Sequence, residues 1–326
     1  MSLSDANNVV IRPRCVADGV VAGKTLIIAG RCGRLANRLA LFANFIAFAE
    51  ERGHRVINFT FHSFASSFES TRGDIYCQYP VAARRSLWDV VPGAGEIIRG
   101  TRLFSHLGRM AAKANEWVPL LAPDTITVRE GPGGYVALDG PEVEASISGA
   151  RRIFFFGWTF RAPGCMERHA AKIRTYFTPV EKHGMAAREV ADRLRQNADV
   201  VVGLHIRGGD YRNWRGGKYS FTIERYAGWA REMTELFPGR KTSFLVCSDE
   251  PRDRSEFQGL SVGFGTGVPV QDLYALAGCD YILGPVSTFT QWASFYGNKP
   301  LFQFRSAGAR LDLAQFQVSY VQEIPQ

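Results

Sequence analysis

Val200-Val201-Val202-Gly203-Leu204-His205-Ile206-Arg207-Gly208-Gly209-Asp210-Tyr211 is the stretch on which the fold turns. A β-branched apolar run stops abruptly in a polar turn. The run from 200 to 204 has no polar alternation, so it reads as a strand covered on both faces, as in a parallel sheet. The turn places an imidazole, a guanidinium and a carboxylate at the carboxyl end of that strand. In open α/β sheets ligands bind at that end. Two glycines let the backbone turn sharply and let a ligand approach closely. A fixed cation beside exposed amides suits an anion such as a diphosphate. The plainer reading is a strand end carrying an Arg–Asp surface pair.

Alternation extends outward from this strand in both directions. Downstream, the spacing predicts a helix over 223–237, strands over 242–247 and around 262, and a helix over 269–277. A strand over 281–283, a helix over 289–296 and a strand over 300–304 complete the series. Upstream, 24–29 reads as a strand, 34–52 as a helix closed by Gly53, and 55–59 as a second strand, which makes a βαβ unit. Helical patches are expected at 86–91 and 103–117, and a loop at 131–134. A strand over 152–158, taken as the last of its domain, precedes a helix over 165–178. A charged helix over 180–196 carries Met185, Val190 and Leu194 on one apolar face. Thr178-Pro179 marks the break. The expected domains are therefore 1–180 and 181–326, two α/β halves with a ligand cleft between them.

The chain has 326 residues, 46% of them hydrophobic and 21% charged, which is an ordinary globular balance. Its formal net charge of +8 favours anionic partners. The arginines are dispersed rather than gathered in one basic tract, which argues against a nucleic-acid-binding arm. The six cysteines, Cys15, Cys32, Cys77, Cys165, Cys247 and Cys279, form no CxxC pair and have no histidine at zinc-finger spacing. Neither a signal peptide nor an apolar run of spanning length is visible, so a cytoplasmic protein is expected. The positive charge leaves contact with a membrane surface open.

Several turns carry candidate chemistry. Gly19-Val20-Val21-Ala22-Gly23-Lys24-Thr25 is one residue short of a Walker A loop, and a strand follows it, so that reading fails. Gly30 and Gly33 lie between a strand and a helix, where amides can face an anion or simply make a tight turn. Ser248-Asp249-Glu250-Pro251 ends a strand. Its carboxylates can bind a base or ribose, or cap a helix. Ser287, Thr288 and Thr290 open a helix and can hold phosphate or cap. Three successive strands end in such turns, and a parallel sheet puts them on one edge. No GxSxG elbow and no histidine pair for a metal is present.

Taken in order, these segments resemble the bacterial α-1,2-fucosyltransferases and their wider superfamily, which includes the α-1,6- and protein O-fucosyltransferases. His205-Ile206-Arg207-Gly208-Gly209-Asp210-Tyr211 is similar to the HxRRGDY segment. Ser248-Asp249-Glu250-Pro251 resembles SDD-P, and Asp272 to Cys279 resembles a helix with Asp and Cys seven apart. Ser287-Thr288-Phe289-Thr290-Gln291-Trp292-Ala293 resembles SSFSWWG. Gly30-Arg31-Cys32-Gly33-Arg34-Leu35-Ala36-Asn37 sits where that family has a GGLGNQ-type loop. The resemblance implies a GT-B architecture, two Rossmann-like doubly wound domains facing a cleft. It also implies an inverting, metal-independent transfer of fucose from GDP-fucose to a glycan hydroxyl, with no cofactor.

By the same resemblance, Arg207 stabilises the leaving diphosphate, and Ser287, Thr288 and Thr290 hold phosphate. Asp249, Glu250 and Asp272 bind guanine or orient the donor together with Ser248, and Gly30, Gly33 and Asn37 line the donor loop. Arg207, Asp210 and His205 form the candidate catalytic set. Asp210 is the first candidate for general base, its other role being to orient Arg207 or His205. Gly208 stands where the family keeps a second arginine, and Gln291 replaces a tryptophan. A same-fold enzyme with another nucleotide sugar is one alternative. A non-catalytic nucleotide- or nucleic-acid-binding module is the other, although nucleic acid is not the expected partner.

Overall fold

The computed structural model describes residues 9–11, 23–30, 33–81, 110, 124–131 and 134–321. The helical patch expected at 86–91 lies outside them, as does that at 103–117 apart from Met110, and so do Cys15 and Cys32. The chain divides into two compact units, Met1–Val180 and Glu181–Gln326.

In the first unit β1 (Val9–Ile11), β2 (Thr25–Ile28), α1 (Leu35–Arg52), β3 (Arg55–Asn58) and β4 (Gln78–Tyr79) come first. β5 (Thr125–Glu130), β6 (Val136–Ala137), α2 (Pro141–Ile147), β7 (Arg152–Phe156), β8 (Phe160–Arg161), α3 (Pro163–Arg168) and α4 (Ala170–Tyr176) follow. The main sheet has the order β1-β5-β7-β2-β3-β4. Its inner strands β5, β7, β2 and β3 run parallel, and the edges β1 and β4 are antiparallel. The parallel βαβ core is as expected, and the antiparallel edges depart from a simple doubly wound sheet. α1 is buried almost throughout, which is why its pattern is strong, and left-handed Gly53 (φ 67°) closes it. Phe42 holds Phe61, Tyr176 and Phe177 edge-on at 5.4 to 5.5 Å.

Two expectations for this unit are corrected. β7 is not its last strand, because β8 follows and pairs with β6 in a separate two-stranded sheet. The helix expected over 165–178 is two helices, broken at His169, whose φ and ψ of −105° and 14° leave the helical region.

The second unit contains α5 (Glu181–Arg195), β9 (Val200–Ile206), α6 (Ile223–Glu235), β10 (Thr242–Ser248) and β11 (Ser261–Phe264). α7 (Pro269–Ala277), β12 (Tyr281–Pro285), α8 (Thr288–Gly297) and β13 (Leu301–Phe304) complete it. Its sheet is wholly parallel, in the order β11-β10-β9-β12-β13. The chain thus builds outward from β9 to one side, then returns to β9 and builds to the other. The reversal falls between β9 and β12, which is the topological switch point of a doubly wound sheet.

All seven residues of β9 are buried, as the unbroken apolar run requires. Val200, Val202, Leu204 and Ile206 face a core shared with Tyr226, Trp229 and Met233 of α6. There Trp229 stacks on Phe304 with ring centroids 3.6 Å apart. The alternate residues face the other helices. On α5 the buried residues are Gly184, Ala187 and Ala191, while Met185 is 55% exposed. Of the apolar face expected from Met185, Val190 and Leu194, Met185 points to solvent, whereas Val190 is half-buried and Leu194 lies against Gly263 of β11. α5 lies close against α7 and the sheet, and small side chains permit that approach where methionine would not.

Candidate functional site at the switch point

β9, β10 and β12 are neighbours, so their carboxyl-terminal turns meet on one edge. Register fixes the meeting, with Ile206 opposite Ser248 and Leu204 opposite Leu283.

The turn after β9 is braced by the turn after β10. Gly208 N–H donates to Asp249 Oδ1 at 2.8 Å, and Gly209 N–H donates to Glu250 Oε1 at 3.1 Å. Gly209 has φ 44°, a left-handed conformation that favours glycine. Arg207 is largely buried and contacts Asp249 through Nη1 at 3.0 Å and Asp210 through Nη2 at 2.8 Å. Its guanidinium also lies 5.1 Å from the ring centroid of Tyr211. The motif arginine is thus locked on three sides. Asp210 is half-exposed, at 53% of its side chain.

The turn after β12 joins through Tyr211, whose hydroxyl donates to the Val286 carbonyl at 2.9 Å. Burial raises the Tyr211 pKa, and a hydrogen bond with Ser287 opposes that rise. Ser287 is the N-cap of α8, its hydroxyl accepting from Phe289 N–H at 3.1 Å. Thr288 is buried at the first turn of the same helix. Thr290 is fully buried, and its hydroxyl donates inward to the Ser287 carbonyl at 2.9 Å.

His205 lies on the face of β9 turned toward α8, its ring stacked on Phe289. Burial and the neighbouring Arg207 push its pKa down to about 3. It is therefore a neutral imidazole at physiological pH. Asp272 sits in α7 and closes the turn after β11. It accepts from Thr266 N–H at 2.7 Å and from Gly267 N–H at 3.2 Å. Burial raises its pKa against those amide bonds.

Ser248 and Glu250 also engage Arg252, at 3.3 and 2.9 Å. Arg212, Arg252 and the segment Ser220–Glu224 line, with Arg207 and Gly208, a cavity of about 270 Å³. Arg212, Arg252 and the segment Ser220–Glu224 did not stand out in the sequence, because their meeting depends on strand order rather than on spacing.

Gly30, Gly33 and Asn37 belong to the first unit. A Cβ on Gly30 would lie 2.6 Å from the Gly157 nitrogen, so the glycine permits close passage of the β7 turn. A Cβ on Gly33 would run into the Asn37 side chain. Arg38 pins this loop, donating to the Gly33 carbonyl at 3.2 Å and to the Thr60 carbonyl at 2.6 Å.

Among the described residues no helix is long and apolar enough to cross a membrane. No protein-family model and no curated protein matches the sequence. Solved structures do match the fold. A variant of Arabidopsis thaliana FUT1 in complex with GDP is 12% identical, with a TM-score of 0.54, over 90% of this chain and 74% of that one. Fucosyltransferase NodZ from Bradyrhizobium is 15% identical, with a TM-score of 0.51, over 86% of this chain and 96% of that one. NodZ alpha-1,6-fucosyltransferase soaked with GDP-fucose is 16% identical, with a TM-score of 0.50, over 90% and 97%. The chain has the mixed α/β fold, with parallel sheets, of these GT-B structures.

Proposed function

We propose that this chain is an inverting GT-B glycosyltransferase that moves fucose from GDP-fucose to a hydroxyl of a glycan acceptor, without a resident metal or cofactor. The observation that carries this reading is the junction of the turns after β9, β10 and β12 around Arg207. The motif order of the sequence and the likeness to structures holding GDP or soaked with GDP-fucose support the donor.

In the reaction an acceptor oxygen bonds to the anomeric carbon as the bond from that carbon to the β-phosphate oxygen breaks. The electron pair of the broken bond leaves with GDP, and the acceptor proton passes to a base. Arg207 stabilises the charge that develops on the leaving diphosphate. The amides of the first turn of α8, with the helix dipole, face the same anion beside Ser287 and Thr288. Asp210 is the base in this reading, and its pairing with Arg207 lets it orient that guanidinium as well. A same-fold transferase using another nucleotide sugar is the second reading, favoured by Gly208.

The test is a thermal-shift panel of GDP-fucose, GDP-mannose, UDP-sugars and dTDP-sugars, followed by mass analysis of product on candidate oligosaccharides. Stabilisation by GDP-fucose and a product heavier by one deoxyhexose are expected. A response confined to UDP- or dTDP-sugars, or salt-sensitive RNA binding without donor turnover, would overturn it. Arg207→Ala is expected to lower turnover by about a hundredfold or more. Near-wild-type turnover of Asp210→Asn would remove the base role.

A further inference from the structure

Arg207 faces two carboxylates, Asp210 and Asp249, so its charge is already balanced before a ligand arrives. A diphosphate at this corner needs a further cation. The next position, Gly208, cannot supply one, and the structure shows what fills its space. A Cβ there would lie 2.5 Å from Oε2 of Glu250, closer than side chains pack.

Glu250 in turn gathers two arginines, Arg212 at 2.5 Å and Arg252 at 2.9 Å. They differ in what they can still bind. Arg252 is largely buried, and it also donates to Ser248 Oγ at 3.3 Å and pairs with Glu256 at 3.5 Å. Its donors are committed to the turn after β10. Arg212 is 62% exposed, lines the cavity with Arg207, and gives only Nη2 to Glu250 among the described residues. A guanidinium has five N–H donors in a planar fork, so Nε and Nη1 can take a phosphate oxygen while Glu250 keeps Nη2.

We propose that Arg212 supplies the second cation of the diphosphate corner, and that Glu250 is the positioning residue that holds it there in place of a side chain at 208. An arginine at 208 would displace the Glu250 carboxylate from its place between the Gly209 amide, Arg212 and Arg252. The inference rests on the GDP-sugar reading.

Calorimetric titration of the full chain with GDP and with GMP tests it, because only GDP carries the β-phosphate. Arg212→Ala is expected to weaken GDP by about tenfold or more and to leave GMP within about twofold, with an unchanged melting temperature. Glu250→Gln should show a smaller GDP-selective loss, its amide oxygen still accepting from Gly209. The triple variant Gly208→Arg/Glu250→Ala/Arg212→Ala should regain the preference for GDP. Arg212→Ala binding GDP like the wild type, or losing GDP and GMP alike, would overturn the assignment. So would a GDP-selective loss found in Arg252→Ala alone. A wild-type chain that binds neither nucleotide would overturn the GDP-sugar reading itself, and this inference with it.

Discussion

His205 and Phe289 stack with ring centroids 4.8 Å apart and an interplanar angle of 23°. The imidazole is enclosed between strand and helix, and Arg207 repels a second positive charge. In the folded chain its pKa falls to about 3, against an unfolded value near the usual 6.5. Between those values the unfolded chain binds a proton that the folded chain does not. Stability contributed by neutral His205 is thus complete above about pH 6.5 and falls with decreasing pH, by up to about 1.4 kcal/mol per unit. His205→Phe keeps the stack and removes the proton. Denaturant titrations followed by tryptophan fluorescence from pH 7 to 4 should show a slope shallower by about one proton in the variant. Equal slopes would mean that His205 titrates normally. For function, a neutral imidazole leaves the cationic work of the corner to arginines.

Elements meet at the site through close helix packing on the far side of the sheet. α8, which carries Ser287 and Thr288 at its amino end, crosses α7 at its own carboxyl end. A Cβ on Gly297 would fall directly on the Ala277 carbonyl oxygen, and backbone on both sides leaves no flexible group to yield. Gly297→Ala is therefore expected to destabilise the chain by about 2 kcal/mol or more through overpacking. A lowered melting temperature checks this, and a melting temperature equal to the wild type would show that the helices can separate freely. The pattern on α5 has the same physical origin. Its sequence offers Met185, Val190 and Leu194 as an apolar stripe, yet Met185 is exposed and the fully buried residues are Gly184, Ala187 and Ala191, with Leu194 against Gly263. Hydrophobicity alone does not report which face has room for a close neighbour.

At the scale of the molecule, the second unit has a five-stranded parallel sheet and a hydrophobic core formed within it, between that sheet and α6. Residues 181–326 expressed alone are expected to fold. Dispersed amide resonances and a cooperative urea transition would show it, and a broad, non-cooperative transition would show that this unit depends on the first.

What the sequence determined by itself was local. The unbroken run at 200–204 required a strand covered on both faces, and strands regularly alternating with helices required a parallel sheet. Both follow from side-chain periodicity and burial, which act over a few residues. The alternation already put the turns after β9, β10 and β12 on one edge, and the order 3-2-1-4-5, which makes those strands direct neighbours, was decided by tertiary structure alone. The same holds for Gly208. The sequence showed that it lacks a side chain. Only the pairing of β9 with β10 brought Glu250 into that space and Arg212 and Arg252 around it. Contacts between residues about forty positions apart depend on which strands are neighbours, and no local spacing encodes that.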